Sequence, residues 1–362
     1  MVIFMSIYIH IPFCNNICTY CDFCKLIYNK KYISKYLDNL EKEIKERYKG
    51  EIIKTIYIGG GTPTSLDEEE LTSLLKIIKL FNLCDNYEFT VEGNIDSITN
   101  TKLEIMQEYG VNRISLGVES FNDNIIKFLG RKHTRKEVFT KVNLVKKFFT
   151  NINIDLIYAV SDDINIVEND INDFLKLNIP HISVYSLIIE DNTFLKVQGF
   201  KNISEDIDYE MYKYIEKKLE SKGYIHYEIS NYAQKGYESK HNLVYWNNDN
   251  YYGFGLSSTS YLNNIRRVNT RNLHAYLNGF YFYYEEEEDI NIRMENEIML
   301  GLRKIEGINL KVFRDRYNIN LEEVYNIEFL LKEGYLLKDD NYLKIAKKYL
   351  YVSNEIIVKI FN

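Results

Sequence analysis

Cys14, Cys18 and Cys21 stand at C-x₃-C-x₂-C spacing in the run YIHIPFCNNICTYCDF, which begins at Tyr8 in a strand-like segment and ends at Phe23. Three thiolates this close can hold three corners of a cubane [4Fe–4S] cluster and leave the fourth iron for an outside ligand. Soft thiolates also select zinc or copper(I), so spacing and context must choose. Structural zinc sites usually pair a C-x₂-C with a second, distant pair, which fits this triplet poorly. Zinc and unligated thiols remain the competing readings.

A second chemical feature follows. Gly59, Gly60 and Gly61 end a β-branched run and precede Thr62-Pro63. Consecutive glycines let a ligand approach the backbone and leave amide N–H groups free to face it. The G-x₄-G-K-[ST] pattern of a phosphate-binding loop is absent.

These residues need a scaffold, and the first 230 residues supply one by alternation. Strands are expected at 3–9, 53–58, 87–91, 112–117, 152–158 and 181–186, with another at 225–229. Helices are expected near 31–47, 67–80, 99–109, 134–148, 164–177 and 205–222. In the first helix Ile33, Leu37, Leu40 and Ile44 recur at helical intervals. Asp67 with Glu70 reads as a capped start, Thr99 as another, and Gly110 as a stop. Six βα units imply a parallel α/β barrel, open or closed, with right-handed crossovers. The candidate residues follow the strands, at the carboxyl-end rim where such barrels carry their sites.

Composition narrows the class. The 362 residues are 46% hydrophobic and 27% charged, as expected of a folded globular chain. A net charge of −7 argues against a general nucleic-acid binder. No apolar run is long enough to span a bilayer, and the N-terminus lacks the look of a signal peptide. Five cysteines do not make a disulfide scaffold, and an oxygen-labile cluster would point to the reducing cytoplasm. With 32 tyrosines and only 3 prolines, the chain carries a compositional bias that weakens any argument from tyrosine enrichment.

The cysteine spacing resembles the signature of radical S-adenosylmethionine (SAM) proteins. The fuller string H-I-P-F-C-x₃-C-x₂-C-D-F is similar to the oxygen-independent coproporphyrinogen III oxidase-like branch, which also contains heme chaperones. The likeness continues through GGGTPT (59–64), GVNRISLGVESFND (110–123), LGRKH (129–133), NIDLIY (153–158), HISVYSL (181–187), YEISNYA (227–233), HNLVYW (241–246) and YYGFGLSSTSY (251–261). It implies a partial (β/α)₆ radical SAM barrel over 1–240 and an extended connection at the barrel mouth over 241–284. A small C-terminal α+β, winged-helix-like domain is expected over 285–362, its acidic run 285–289 being a solvated linker or helix start.

The resemblance also implies roles. Cys14, Cys18 and Cys21 would hold the cluster. Tyr8, Phe23, Gly60, Gly61, Thr62, Glu92, Glu119, Arg131 and Asp155 would surround SAM. For each polar residue alone, a barrel-stabilising ion pair is the competing explanation; Arg113 fits that better. His241, with Tyr245 and Trp246 beside it, would be a heme contact or else a hydrogen-bonded structural histidine. His10 and His133 read as supporting residues, and Cys84 as structural. The chain departs from the family at Ala159, where I-D-L-I-Y is usually followed by glycine, and at Asp162 and Asp163.

One position divides the branch. Coproporphyrinogen oxidases carry a further cysteine two residues after the third ligand, where this chain has Phe23. Cys24 is offset by one residue, which reverses side-chain direction on an extended chain. The favoured reading is a heme chaperone with a [4Fe–4S] cluster, SAM and heme, delivering heme to respiratory membrane proteins. The alternative is oxidative decarboxylation of coproporphyrinogen propionates. A cellular electron donor is expected, and a peripheral contact at the inner face of the membrane is left open.

Overall fold

The computed structural model describes residues 4–361, so Ile3, the first residue of the expected 3–9 strand, lies outside it. Six parallel strands form the centre: β1 (Phe4–Ile11), β2 (Ile52–Gly60), β3 (Asn82–Asn94), β4 (Arg113–Glu119), β5 (Asn151–Tyr158) and β6 (His181–Ser186). The helices between and after them are α1 (Lys30–Arg47), α2 (Glu68–Ile78), α3 (Asn100–Glu108), α4 (Arg135–Val145), α5 (Ile164–Leu177) and α6 (Glu205–Glu220). Asp67 and Glu70 form the expected capping box, and Thr99 caps α3.

Alternation within these strands builds the barrel. Ile7, Ile9, Ile56, Ile58, Phe89, Val91, Ile114, Leu116, Ile152 and Ile154 turn outward and are fully or almost fully buried beneath the helices. The intervening residues face the lumen and are largely polar: Tyr8 and His10 on β1, Tyr57 on β2, Glu92 and Asn94 on β3, Ser115 on β4, Asn153 and Asp155 on β5. Parallel strands with two apolar faces would read as unbroken hydrophobic runs. A polar lumen therefore marks the inside of this barrel as more than packing.

The sheet stays open and grows at both sides. Beyond β6 lie the antiparallel strands β7 (Ile225–Glu228) and β8 (Asn231–Ala233), with β8 next to β6. Beyond β1 lies β9 (Tyr251–Phe254), parallel to it, followed by the antiparallel β10 (Thr259–Leu262), β11 (Ile265–Asn269) and β12 (Phe282–Glu287). Where an extended connection is expected over 241–284, the chain instead forms a helix, α7 (Lys240–Trp246), and this sheet extension. The free edge of β1 needs partners for its backbone, and the aromatic, β-branched sequence supplies them.

The acidic run at 285–289 ends in a helix start, as one of the two expected readings has it, but Glu285–Glu287 are exposed strand rather than linker. Glu285–Glu287 lie in the edge strand β12, opposite Arg267, Arg266 and Ile265. Arg267 pairs with Glu285, Arg266 with Glu288 at 2.7 Å, and Asp289 caps the next helix. Charge on an edge strand discourages further pairing. The remaining chain packs helices around a three-stranded antiparallel sheet with its own core of Met294, Ile298, Phe313, Leu330, Leu343 and Ile357.

Candidate cofactor site

The cysteine segment is fixed by backbone bonds before any ligand is considered. Thr19 N–H donates to the Leu129 carbonyl at 3.1 Å, and Leu195 N–H to the Thr19 carbonyl at 3.1 Å. Leu26 and Tyr28 N–H groups return to the Pro12 and Cys14 carbonyls at 2.7 and 2.8 Å. The loop therefore lies against the chain that follows α-helical residues 123–128 and faces the carboxyl ends of the strands.

There it closes over a cavity of about 400 Å³. Cys14, Cys18, Cys21, Phe23, Gly60, Gly61, Thr62, Glu92, Glu119, Arg131 and Asp155 all line it. The three sulfurs are not all within the 4.8 Å of one another that a group closing on a single ion shows. Tetrahedral zinc with 2.3 Å bonds to sulfur would need them about 3.8 Å apart. The wider spacing fits a polynuclear cluster better. Burial raises all three thiols, Cys14 to about 11. Cluster assembly must therefore displace protons from them. Thr62 donates to Cys14 Sγ at 3.5 Å, and Asn94 donates to Thr62 Oγ1 at 3.0 Å.

The glycine turn follows from close approach. Gly60 has φ +111°, and a Cβ there would sit 2.4 Å from the His10 ring. Its N–H donates to Glu92 Oε2 at 3.1 Å, while the Tyr57 hydroxyl donates to Glu92 Oε1 at 2.7 Å. Burial raises the Glu92 carboxyl to about 7, Tyr57 opposing that rise. Asp155, bonded by Asn153 at 2.9 Å and Ser115 at 3.2 Å, is raised by burial to about 6.

Arg131 brings a buried positive charge to the cavity, which Lys25 also lines. It pairs with Glu119 and donates to Asn94 Oδ1 at 2.6 Å and Tyr20 Oη at 2.9 Å. Gly117 leaves the space, since a Cβ there would lie 2.6 Å from Arg131 Nη2. Between Gly117 and Glu119 the strand register shifts, and Glu119 adopts φ +66°. Such strain is tolerated where a side chain must be re-aimed. The Nε–H of Arg131 is buried without a partner. One orphan donor beside three lumen carboxyl groups suits a ligand carrying both a carboxylate and positive charge.

Four expected contacts lie off the cavity. Tyr8 sits behind Tyr57, with its ring 6.3 Å away, and its hydroxyl bonds His10 Nδ1 at 3.0 Å. His10 Nε2 reaches the Cys24 carbonyl at 2.7 Å, so Nε2 carries the proton and burial keeps the ring neutral, its pKa lowered to about 4. His241 is buried on the other side of Tyr57, near Thr55 and Glu88 at the amino-terminal part of the strands. Its Nδ1 bonds Thr55 at 2.8 Å and its Nε2 bonds Tyr245 at 2.9 Å. Its ring stacks on Tyr57 at 5.2 Å, and its backbone N–H donates to Glu88 at 3.0 Å. Heme ligation through either ring nitrogen would have to break one of these bonds at a buried position, so the geometry fits the competing reading, a hydrogen-bonded structural histidine. Tyr245 and Trp246 share its helix, away from the mouth. Cys24 also lies off the cavity, beside Ser257 and Arg271. His133 bonds the Val118 carbonyl at 3.1 Å.

Comparison with known proteins adds the lineage. Residues 8–168 match the Radical SAM superfamily profile and residues 291–348 the HemN C-terminal domain. A protein named heme chaperone HemW from Lactococcus lactis is 37% identical, covering 98% of this chain and 96% of its own. The chain belongs to the HemW family of radical SAM proteins. The Bacillus subtilis HemW heme chaperone is likewise 37% identical, over 97% of both chains. In three dimensions, this HemW-family chain resembles coproporphyrinogen III oxidase (HemN) from Escherichia coli at TM-score 0.86, covering 98% and 89% of the two chains. At 20% identity, that likeness speaks for the fold alone.

Tyr57, Tyr20 and Asn94 were not singled out in the sequence. Tyr20 is one of 32 tyrosines, so its type carried no signal. Asn94 could have been found, because it shares the strand face of Glu92 two residues earlier.

Proposed function

We propose that this protein is a heme chaperone that holds a [4Fe–4S] cluster and SAM and delivers heme to heme-dependent respiratory membrane proteins. One observation carries the reading. A single cavity gathers three thiols, a glycine turn and a partly neutralised set of buried charges, in a chain similar over nearly its whole length to named heme chaperones. Cys14, Cys18 and Cys21 would hold the cluster. When bound beside SAM, the cluster supplies one-electron chemistry at the sulfonium.

The chain's own residues bind and orient. Gly60 and Gly61 let the turn pack against His10 and Pro12 beside the thiols, Arg131 offers its unpaired Nε–H to a carboxylate, and Glu92 and Asp155 accept from ammonium and hydroxyl groups. Phe23, 66% exposed at the rim, would shield the cluster from water once a ligand covers it. Phe23 also occupies the position of the oxidases' additional cysteine, which favours a chaperone over propionate decarboxylation. The working location is the cytoplasm, with a cellular electron donor; no described helix is long and apolar enough to cross a membrane.

The test is anaerobic reconstitution with iron and sulfide, electron paramagnetic resonance with and without SAM, heme titration and a coproporphyrinogen turnover assay. Expected are a [4Fe–4S]⁺ signal altered by SAM, saturable heme binding and no vinyl product. An unchanged signal on adding SAM removes the cofactor assignment. Stoichiometric vinyl product with SAM cleavage replaces the chaperone with an oxidase.

A further inference from the structure

Outside the cavity, one cluster of side chains is left with unmet bonding. On α6, Tyr212, Glu216 and Glu220 recur every fourth residue and form one stripe, and the chain then turns back so that His226 on β7 faces it. Tyr212 and His226 have their rings 6.4 Å apart. Three buried polar atoms in this patch have no hydrogen-bond partner: the Tyr212 hydroxyl, Glu216 Oε1 and His226 Nδ1. Glu216 and His226 are only 3% and 4% exposed, so water does not explain the deficit. A buried polar atom left without a partner is destabilising, because its desolvation is not repaid. Three in one place call for a missing partner.

We infer that Glu216, Glu220 and His226 form a binding site for a divalent transition-metal ion, with zinc the best fit. One ligand atom from each residue lies within 4.8 Å of the others, and His226 Nδ1 stands 3.9 Å from Glu216 Oε1. That separation is too long for a hydrogen bond, yet close to what two ligands of one small cation require. His226 Nε2 lies 3.4 Å from the Ile229 carbonyl, which favours the tautomer protonated at Nε2 and frees the Nδ1 lone pair. Metal-bound imidazoles are commonly oriented in this way. One imidazole and two carboxylates suit zinc; sulfur-seeking copper(I) lacks a ligand, and magnesium has little use for the imidazole. Three protein ligands leave an open position for water, which the Tyr212 hydroxyl can bond.

Two ammonium groups hold the carboxylates in the metal-free form. Lys213 pairs with Glu216 through Oε2, leaving Oε1 free. Lys347, from the C-terminal module, lies 2.6 Å from both Glu220 oxygens. Both lysines are largely exposed, with side chains 42% and 53% accessible, and can turn into water when a cation arrives. The metal would thus compete with the Lys347 contact to the C-terminal module.

The test uses the full chain with its cluster assembled anaerobically, dialysed against micromolar zinc. Expected is one retained zinc per chain, with an X-ray absorption edge reporting only nitrogen and oxygen neighbours. Glu220→Gln, at a half-exposed position, should weaken retention at least tenfold without altering circular dichroism. Lys347→Ala should tighten it severalfold, a gain that misfolding cannot mimic. No retained zinc, sulfur in its coordination shell, or equal retention by wild type and Glu220→Gln overturns the site.

Discussion

At the scale of single residues, the cavity runs on buried charge. Glu92 is ordinarily ionised above 4.5, but in the folded, ligand-free chain burial raises it to about 7. Between those values the unfolded chain has lost the proton that the folded one keeps, so stability falls as pH rises through this window and does not recover above it. For one such group the loss is about 3 kcal/mol. Glu92→Gln should therefore make the ligand-free protein more stable than wild type at pH 8 and nearly equal to it at pH 4.5, while weakening SAM binding; urea titrations at the two pH values check this. The cysteines give a sharper readout. Replacing any one of Cys14, Cys18 and Cys21 by alanine should drop iron bound after reconstitution to a small fraction of wild type, whereas Cys24→Ala, whose side chain lies off the cavity, should leave iron content unchanged.

At the scale of elements, turns after strands place the groups, and at two of them a positive φ decides which residue fits. Ala159, just past β5, sits at φ +61° where the family usually has glycine. A non-glycine residue in this conformation is disfavoured by about 1–2 kcal/mol, part of which glycine gives back as unfolded-chain entropy. Ala159→Gly should stabilise the chain by about 0.5–1 kcal/mol, measured as a shift in the urea midpoint at constant slope. Gly60 is the opposite case. Gly60→Ala places a methyl against the His10 ring at a backbone angle that alanine avoids, and it should abolish the SAM-induced change in the resonance signal while the cluster still assembles. Iron content together with the spectrum separates these effects.

At the scale of the whole molecule, the barrel and its sheet extension share one buried charge. Glu43 on α1 is fully buried and pairs with Arg47; it also accepts from Gly255 N–H at 2.9 Å, Asn269 at 2.7 Å and the Tyr276 hydroxyl at 2.7 Å. Arg47 in turn donates to the Gly253 carbonyl at 3.0 Å and to Ser260 at 2.6 Å. This network locks the added strands to the helix that packs over β1. Glu43→Ala leaves Arg47 without its counter-ion and should cost about 3–5 kcal/mol. Hydrogen exchange should rise first in β9–β11; protection unchanged there would show that the strands are held by their ladder alone.

The sequence alone determined the alternation of strands and helices and the thiol spacing, because both are local: side-chain period sets the face, and cysteine separation sets what a metal cluster can bridge. It placed Gly60 and Glu92 at strand ends and Arg131 and Asp155 on further βα units, which a parallel barrel gathers at one rim. Tertiary structure decided the rest. His241 and the cavity residues look equally chemical in a string of letters, yet Tyr57 separates them, since only the folded lumen says which end of a strand a distant helix plugs. Residues 251–287 became sheet rather than connection because the edge of β1 was open, a fact about β1 that those residues do not contain. The stripe of Tyr212, Glu216 and Glu220 gained meaning only when β7 brought His226 back across it.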